Sequence, residues 1–324
     1  MKKRAFFIVV LSLVALLMSP VDPIAAAERY PERPVECIVP WGAGGGSTIF
    51  ARAMTTPAEK FLGQPIPIVN IPGASGGVGL IEFMKRPADG YTISTVNTDT
   101  VIGSALGTYK HTVDELDFIM RAAYSTTVIY VRKDSPYAKF PDLAAFAKKN
   151  PDKLKFGGEG IASNEALAHI GLANAGVKTK YVNYEGGTEL MTSVMRGETD
   201  LGASELSQVL SLVEQGRLRI LASASDKRWP GFPNLPTLKE LGYDIDLPML
   251  RGVAVKKGTD PAIKKVLEDA FTKAAESEPW KKFMASKSLD PKAGFMNSQD
   301  FTKFIKTNYT DLKNLIKKTG YLVK

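Results

Sequence analysis

Apolar and polar positions alternate from Val35 to Pro40 with the period of a half-buried strand, and the chain then enters Gly42-Ala43-Gly44-Gly45-Gly46-Ser47. Behind this loop Ile49, Phe50, Ala53 and Met54 fall on one helical face. Thr56-Pro57-Ala58-Glu59 joins a capping-box spacing to a first-turn proline, which predicts that the helix restarts there before Gly63 closes it. The pattern then repeats as a strand from Ile66 to Asn70, a second glycine loop Pro72-Gly73-Ala74-Ser75-Gly76-Gly77, a short helix from Val78 to Lys85 and a strand from Tyr91 to Val96. Strand, loop, helix, strand in this order predicts an α/β sheet. Further strands are expected at Val128 to Arg132, Lys155 to Gly157, Thr179 to Val182, Asp200 to Ala203 and Leu218 to Ala222. The C-terminal portion reads as helical. Asp260-Pro261 caps a stripe containing Ile263, Val266, Leu267, Ala270, Phe271 and Ala274, and Ser298 opens another with Phe301, Phe304, Ile305, Leu312, Leu315 and Ile316.

The first residues have a different pattern. Lys2, Lys3 and Arg4 precede an apolar run from Ala5 to Met18, and Ala25-Ala26-Ala27 stands ahead of Glu28. This predicts a secretory leader over residues 1–27, cleaved on export, because the apolar run is shorter than the roughly 20 residues of a membrane span. About 297 residues would remain, enough for two domains. The net charge of +8 loses three cations (Lys2, Lys3, Arg4) and one anion (Asp22) with the leader, which leaves +6. That field suits an anionic ligand. No basic and aromatic patch of the kind single-stranded nucleic acid requires is evident, so no nucleic-acid partner is expected. Cys37, the only cysteine, reads as a buried strand residue.

The two glycine loops carry the candidate chemistry. Each follows a strand and opens a helix, so its backbone amides converge beside the positive end of the helix dipole, an arrangement that binds anions. Ser47 stands at the expected cap position. Neither loop has the lysine of a Walker loop or the spacing of a dinucleotide fingerprint, so a carboxylate is the expected anion and no cofactor is called for. His111 and His169 are the only histidines, which leaves a histidine-based nucleophile or metal site little to draw on. Glu159, Glu165, Asp200 and Glu205 sit near expected strand ends, where spacing alone does not separate a carboxylate pair from loop solvation.

The sequence resembles the substrate-binding proteins of tripartite tricarboxylate transporters, the Bug family, through nearly the whole chain after the leader. Tyr30-Pro31-Glu32-Arg33-Pro34, Ile38-Val39-Pro40-Trp41 and the triple glycine resemble the family opening. Leu62-Gly63-Gln64-Pro65, Asn70, Pro72-Gly73-Ala74 and Gly76-Gly77 resemble its second loop, followed by Asp89-Gly90-Tyr91-Thr92. Later, Tyr184 with Gly186, Gly197 with Asp200, Gly216-Arg217-Leu218-Arg219 and Leu235-Pro236-Thr237 fall in family order. The chain departs from the pattern at Thr48, where the family commonly has Asp, so a loop acid able to meet a ligand amine is missing. It departs again at Ala166, where the usual residue is His.

The resemblance implies a two-lobed type II periplasmic-binding fold with a ligand cleft between the lobes, the first from residues 28–127 plus 250–324 and the second from 128–249. It implies a monomeric periplasmic receptor, not an enzyme, that hands a small organic carboxylate (a di- or tricarboxylate or an aromatic acid) to integral membrane transporter subunits. The expected contacts are Trp41, Gly44, Gly45, Gly46, Ser47 and Thr48 from the first loop and Ala74, Ser75, Gly76 and Gly77 from the second. Asn97 and Thr98 at a strand end follow, with Ser163, Asn164, Tyr184 and Ser204 from the second lobe. Two other classes share these residues: a sensor subunit that presents ligand to a membrane kinase, and a secreted hydrolase using Ser47 or Ser75.

Overall fold

The computed structural model describes residues 29–184 and 186–319. The leader expected over residues 1–27 lies outside the described residues. Strand β1 (Glu36–Val39) leads through the first glycine loop into helix α1 (Gly46–Leu62), and β2 (Ile68–Asn70) leads through the second into α2 (Gly77–Met84). Strand β3 (Thr92–Asn97) runs directly into α3 (Thr98–Leu106). These three strands are parallel, in the order β2-β1-β3. Helix α1 does not restart at Thr56. It continues through Pro57, because Phe50, Ala51, Met54 and Ala58 are buried along its length and hold it in place despite the lost amide. Gly63, at φ 75°, ends it by returning its N–H to the Glu59 carbonyl.

Next comes β4 (Leu116–Arg132), far longer than the strand expected from Val128. Asp117 and Arg121 interrupt its apolar pattern, yet Arg121 is buried: its Nε and Nη2 donate to the carbonyls of Gly294 and Ala293, each at 2.8 Å. The segment is therefore a strand whose one inward charge serves a distant turn. Strand β5 (Lys155–Glu159), α5 (Asn164–Asn174), β6 (Lys180–Tyr184), α6 (Gly187–Arg196), β7 (Leu201–Glu205), α7 (Leu206–Glu214) and β8 (Leu218–Ala224) follow, with α4 (Phe140–Lys149) ahead of β5. Strand β9 (Pro248–Lys256) was not expected, since Pro248 and Arg251 break its apolar run. It lies antiparallel between β3 and β4. Helices α8 (Pro261–Glu276), α9 (Glu278–Ser286), α10 (Pro291–Gly294) and α11 (Ser298–Thr319) complete the chain.

Among the described residues nine strands join in one curled sheet, in the order β2-β1-β3-β9-β4-β7-β5-β6, with β8 also on β4. The first part of β4 pairs with β9, as far as Thr126 opposite Pro248, and from Thr127 onward it pairs with β7 and β8. Register shifts at Phe118/Met120, Arg121/Ala123 and Ile129/Tyr130 bend it. One core packs Cys37, Val39 and Ile93 against Phe50 and Met54 of α1 and against Phe271 and Trp280. Each large side chain so buried contributes about 1.5–3 kcal/mol. Burial pushes the Cys37 thiol up to about 12, so it is an inert core group. A second core gathers Phe140, Leu143, Phe156, Leu167 and Leu172, and draws in Ile102 and Leu106 of α3 with Ile316 of α11. Helix α3 thus ties the two halves of the sheet together.

Candidate ligand-binding site

The carboxyl ends of β1, β3, β5 and β7 open onto one cavity of about 720 Å³, the place where parallel α/β sheets bind ligands. The first glycine loop forms one wall. Gly44 sits at φ 80° and Gly45 is the N-cap of α1 in extended conformation, without a side-chain cap. Ser47 therefore stands inside the first turn and not at the cap. Its Oγ accepts from Arg251 Nη1 at 2.9 Å. Thr48 turns away from the cavity: its hydroxyl donates to the Gly42 carbonyl at 3.0 Å and accepts from Asn70 Nδ2, which also donates to the Trp41 carbonyl. Thr48 and Asn70 so fix the loop's shape; the Gly45 carbonyl takes the amides of Thr48 and Ile49, which leaves those of Gly46 and Ser47 at the start of α1 for a ligand, with the helix dipole behind them. Ile49, which the sequence pattern puts on one helical face with Phe50, Ala53 and Met54, is exposed beside the cavity.

The second loop is more strained than the first. Gly73, Ala74, Ser75 and Gly76 follow one another at φ 130°, 48°, 52° and 101°. Two consecutive non-glycine residues at positive φ cost on the order of 1–3 kcal/mol each and persist only where neighbours dictate the shape. Buried Tyr109 does so by donating its hydroxyl to the Ser75 carbonyl. Half-buried Trp41 lies over Gly76, where any Cβ would stand 3.1 Å from its Cζ2. Ser75 Oγ lies where a Cβ on Gly160 would stand, and Gly160 itself is at φ 69°, which brings this loop against the β5–α5 connection.

Of the expected contacts, Trp41, Gly44, Gly45, Gly46, Ser47 and Asn97 line the cavity. Ala74, Ser75, Gly76 and Gly77 stand behind Trp41, outside the lining. Thr98, Ser163, Asn164, Tyr184 and Ser204 also lie outside it. Thr98 Oγ1 donates to the Pro248 carbonyl and accepts from Leu250 N–H. Ser163 caps α5, and buried Asn164 donates from Nδ2 to Thr127 Oγ1 and the Pro248 carbonyl. Tyr184 flanks Gly157 at the end of β6, and fully buried Ser204 lies 3.3 Å from the Tyr130 hydroxyl. These five hold the frame.

Charged groups that sequence reasoning did not assign to the site fill it. Arg251, on the unexpected β9, forms a buried ion pair with Glu205 at the end of β7. Asp99, in the first turn of α3, accepts from Asn97 Nδ2 at 3.2 Å through Oδ2, while its other oxygen is closed to solvent and makes no side-chain hydrogen bond. Glu159 ends β5 and Glu165 sits in the first turn of α5, both on the lining. Burial pushes Asp99 and Glu159 up to about 7 and holds Glu165 well above the usual carboxylate range, with repulsion from neighbouring carboxylates adding to it. The absent side chains of Gly46 and Gly187 let Gln208 of α7 close in, 3.0 Å and 2.7 Å from where each Cβ would be.

This chemistry suits binding better than turnover. Ser47 is bonded to a guanidinium, which is always protonated and cannot serve as a general base. His111 pairs with Glu115 and His169 with the Thr179 carbonyl, and neither lines the cavity. Among the described residues no cluster of His, Cys, Asp and Glu is arranged to hold a metal ion.

Comparison with known proteins agrees with this architecture. Residues 50–321 match the family model described as tripartite tricarboxylate transporter family receptor. A UPF0065 protein in the gbd 5' region of Cupriavidus necator is 33% identical over 317 residues, covering 94% of this chain and 93% of that protein. The crystal structure of a TctC solute-binding protein from Polaromonas, solved without ligand, is 30% identical with a TM-score of 0.70, covering 89% of this chain and 99% of that one. The periplasmic binding protein BugD is 25% identical with a TM-score of 0.83, covering 91% and 100%.

Proposed function

The chain belongs to the tripartite tricarboxylate transporter family of receptors, and from that premise we propose that it captures a small organic acid in the periplasm and presents it to integral membrane transporter subunits. The family is one of receptors and not of enzymes. The observation that carries the reading is the first glycine loop, whose amides meet the N-terminus of α1 and the Arg251–Ser47 pair on the wall of a 720 Å³ cavity. A carboxylate placed there takes hydrogen bonds from backbone donors that need no rearrangement. Export through the leader over residues 1–27 supplies the compartment. Residues 28–127 with 250–324 form one lobe and 128–249 the other, and they turn about the two chain crossings to close over the acid. Among the described residues no helix is long and apolar enough to cross a membrane.

A thermal-shift screen of the leader-free protein against mono-, di- and tricarboxylates, aromatic acids and amino acids tests the reading. A ligand at about 100 times its Kd raises stability by about 2.7 kcal/mol, a shift easily seen. A saturable shift with one acid class, and loss of its uptake when the gene is deleted, is the expected result. No shift with any acid, or release of a cleaved product from an ester, would overturn it.

A further inference from the structure

The charge of the cavity is opposite to that of the chain. Over the whole sequence cations outnumber anions by +8, yet the deep part of the lining presents Asp99, Glu159 and Glu165, and its exposed part adds Glu189 and Glu214. Against them stand Arg251, already paired with Glu205, and Lys287. A fully anionic ligand entering this cavity gains the amides of the first loop but meets one buried carboxylate, Glu165, and two half-buried ones, Asp99 and Glu159, on the facing elements α3, β5 and α5. One of these, Asp99, has an oxygen closed to solvent that makes no side-chain hydrogen bond, and the backbone N–H of Asn164 is the donor that acts on the same carboxylate. A buried acceptor short of donors is unfavourable unless a ligand supplies one.

We propose that the cleft takes an organic acid that also carries a protonated nitrogen, its carboxylate on the first glycine loop at the start of α1 and its ammonium between Asp99, Glu159 and Glu165. This deepens the receptor reading above and rests on it. Thr48 removes an acid from the loop, and the acids that meet the amine come from three other elements. One hydrogen bond from a charged donor to a carboxylate, with the repulsion relieved, is worth a difference in affinity of about tenfold or more.

The test is calorimetric titration of the leader-free protein at pH 8 with matched pairs that differ by one amino group: succinate and aspartate, glutarate and glutamate, butyrate and 4-aminobutyrate. In at least one pair the amino member is expected to bind about tenfold tighter or more. That preference should strengthen between pH 5.5 and 8, as Asp99 and Glu159 ionise in a cavity they share with Glu165, Glu189, Glu214, Lys287 and the Arg251–Glu205 pair. Asp99→Asn should weaken the amino member about tenfold and tighten its plain counterpart, and Glu165→Gln, which changes a different element, should do the same. If the plain acids bind as tightly as their amino counterparts or tighter in every pair, the inference falls and the receptor reading stands. Silence from all six compounds while other acids in the thermal screen bind also overturns it. Silence there too overturns both.

Discussion

Arg251→Met tests how the first glycine loop is held. The guanidinium is 8% exposed and the Glu205 carboxylate 2%, so neither group has water to fall back on. Removing the cation leaves Glu205 charged, buried and unpaired at the end of β7 and takes from Ser47 the donor at 2.9 Å. Breaking one side of a buried pair costs about 3–5 kcal/mol. A chain of about 300 residues unfolds with an entropy near 0.6 kcal/mol/K, so the melting temperature should fall by about 5–8 °C. Glu205→Gln on the same background restores a neutral partner and should recover much of the loss, because replacing both members of a buried pair is far milder than removing one. Calorimetry of the ligand-free wild type, the two single variants and the double variant closes the cycle. A loss below about 1 kcal/mol in Arg251→Met, or a double variant no more stable than it, would refute the view that this pair is desolvated and fastens the loop.

Gly76→Val should abolish ligand binding, because Gly76 sits at φ 101° and a Cβ there stands 3.1 Å from Trp41 Cζ2, so the indole on the cavity wall must shift; undiminished affinity in a fluorescence titration would remove the second loop from the binding apparatus. Stability of the ligand-free protein should carry a downward slope with pH from Asp99 and Glu159. Both are pushed up to about 7 when folded and titrate near 4 when unfolded, so across that window the folded state keeps protons the unfolded state has released. Their contribution is greatest near pH 4, declines to about pH 7 and is flat above, and Asp99→Asn should flatten the slope in melts from pH 4 to 8; an unchanged slope refutes the assignment.

The alternation of strands and helices, the two glycine loops and the buried Cys37 were legible because local pattern determines them. The first half of β4 and all of β9 were not, because Asp117, Arg121, Pro248 and Arg251 interrupt runs that are otherwise apolar. Their partners lie far along the chain, Gly294 for Arg121 and Glu205 for Arg251, so no window of sequence contains the reason they are tolerated. The site acids were hidden for the same reason. Asp99, Glu159 and Glu165 meet because the curled sheet brings the ends of β3 and β5, with three strands between them, onto one cavity, and sequence separation carries no trace of that. Polar residues at helix starts are ambiguous in the opposite sense: Thr98 and Asn164, expected as ligand contacts, each donate to the carbonyl of Pro248.

That shared acceptor links the frame to the cleft. Pro248 begins β9 where the chain re-enters the first half of the sheet, and Thr127 marks the switch of β4 from β9 to β7 and β8. Asn164 donates from Nδ2 to both places, so one side chain fastens the two crossings about which the proposed closure turns. The next residue along is Glu165, and Thr98, bonded to the same carbonyl, is followed by Asp99. The carboxylates that face the ligand are thus mounted on the first turns of α3 and α5, next to the side chains that clamp the crossings. If the proposed ammonium sits between them, it acts beside the crossings about which the proposed closure turns, whereas an anion at the first loop acts on the start of α1.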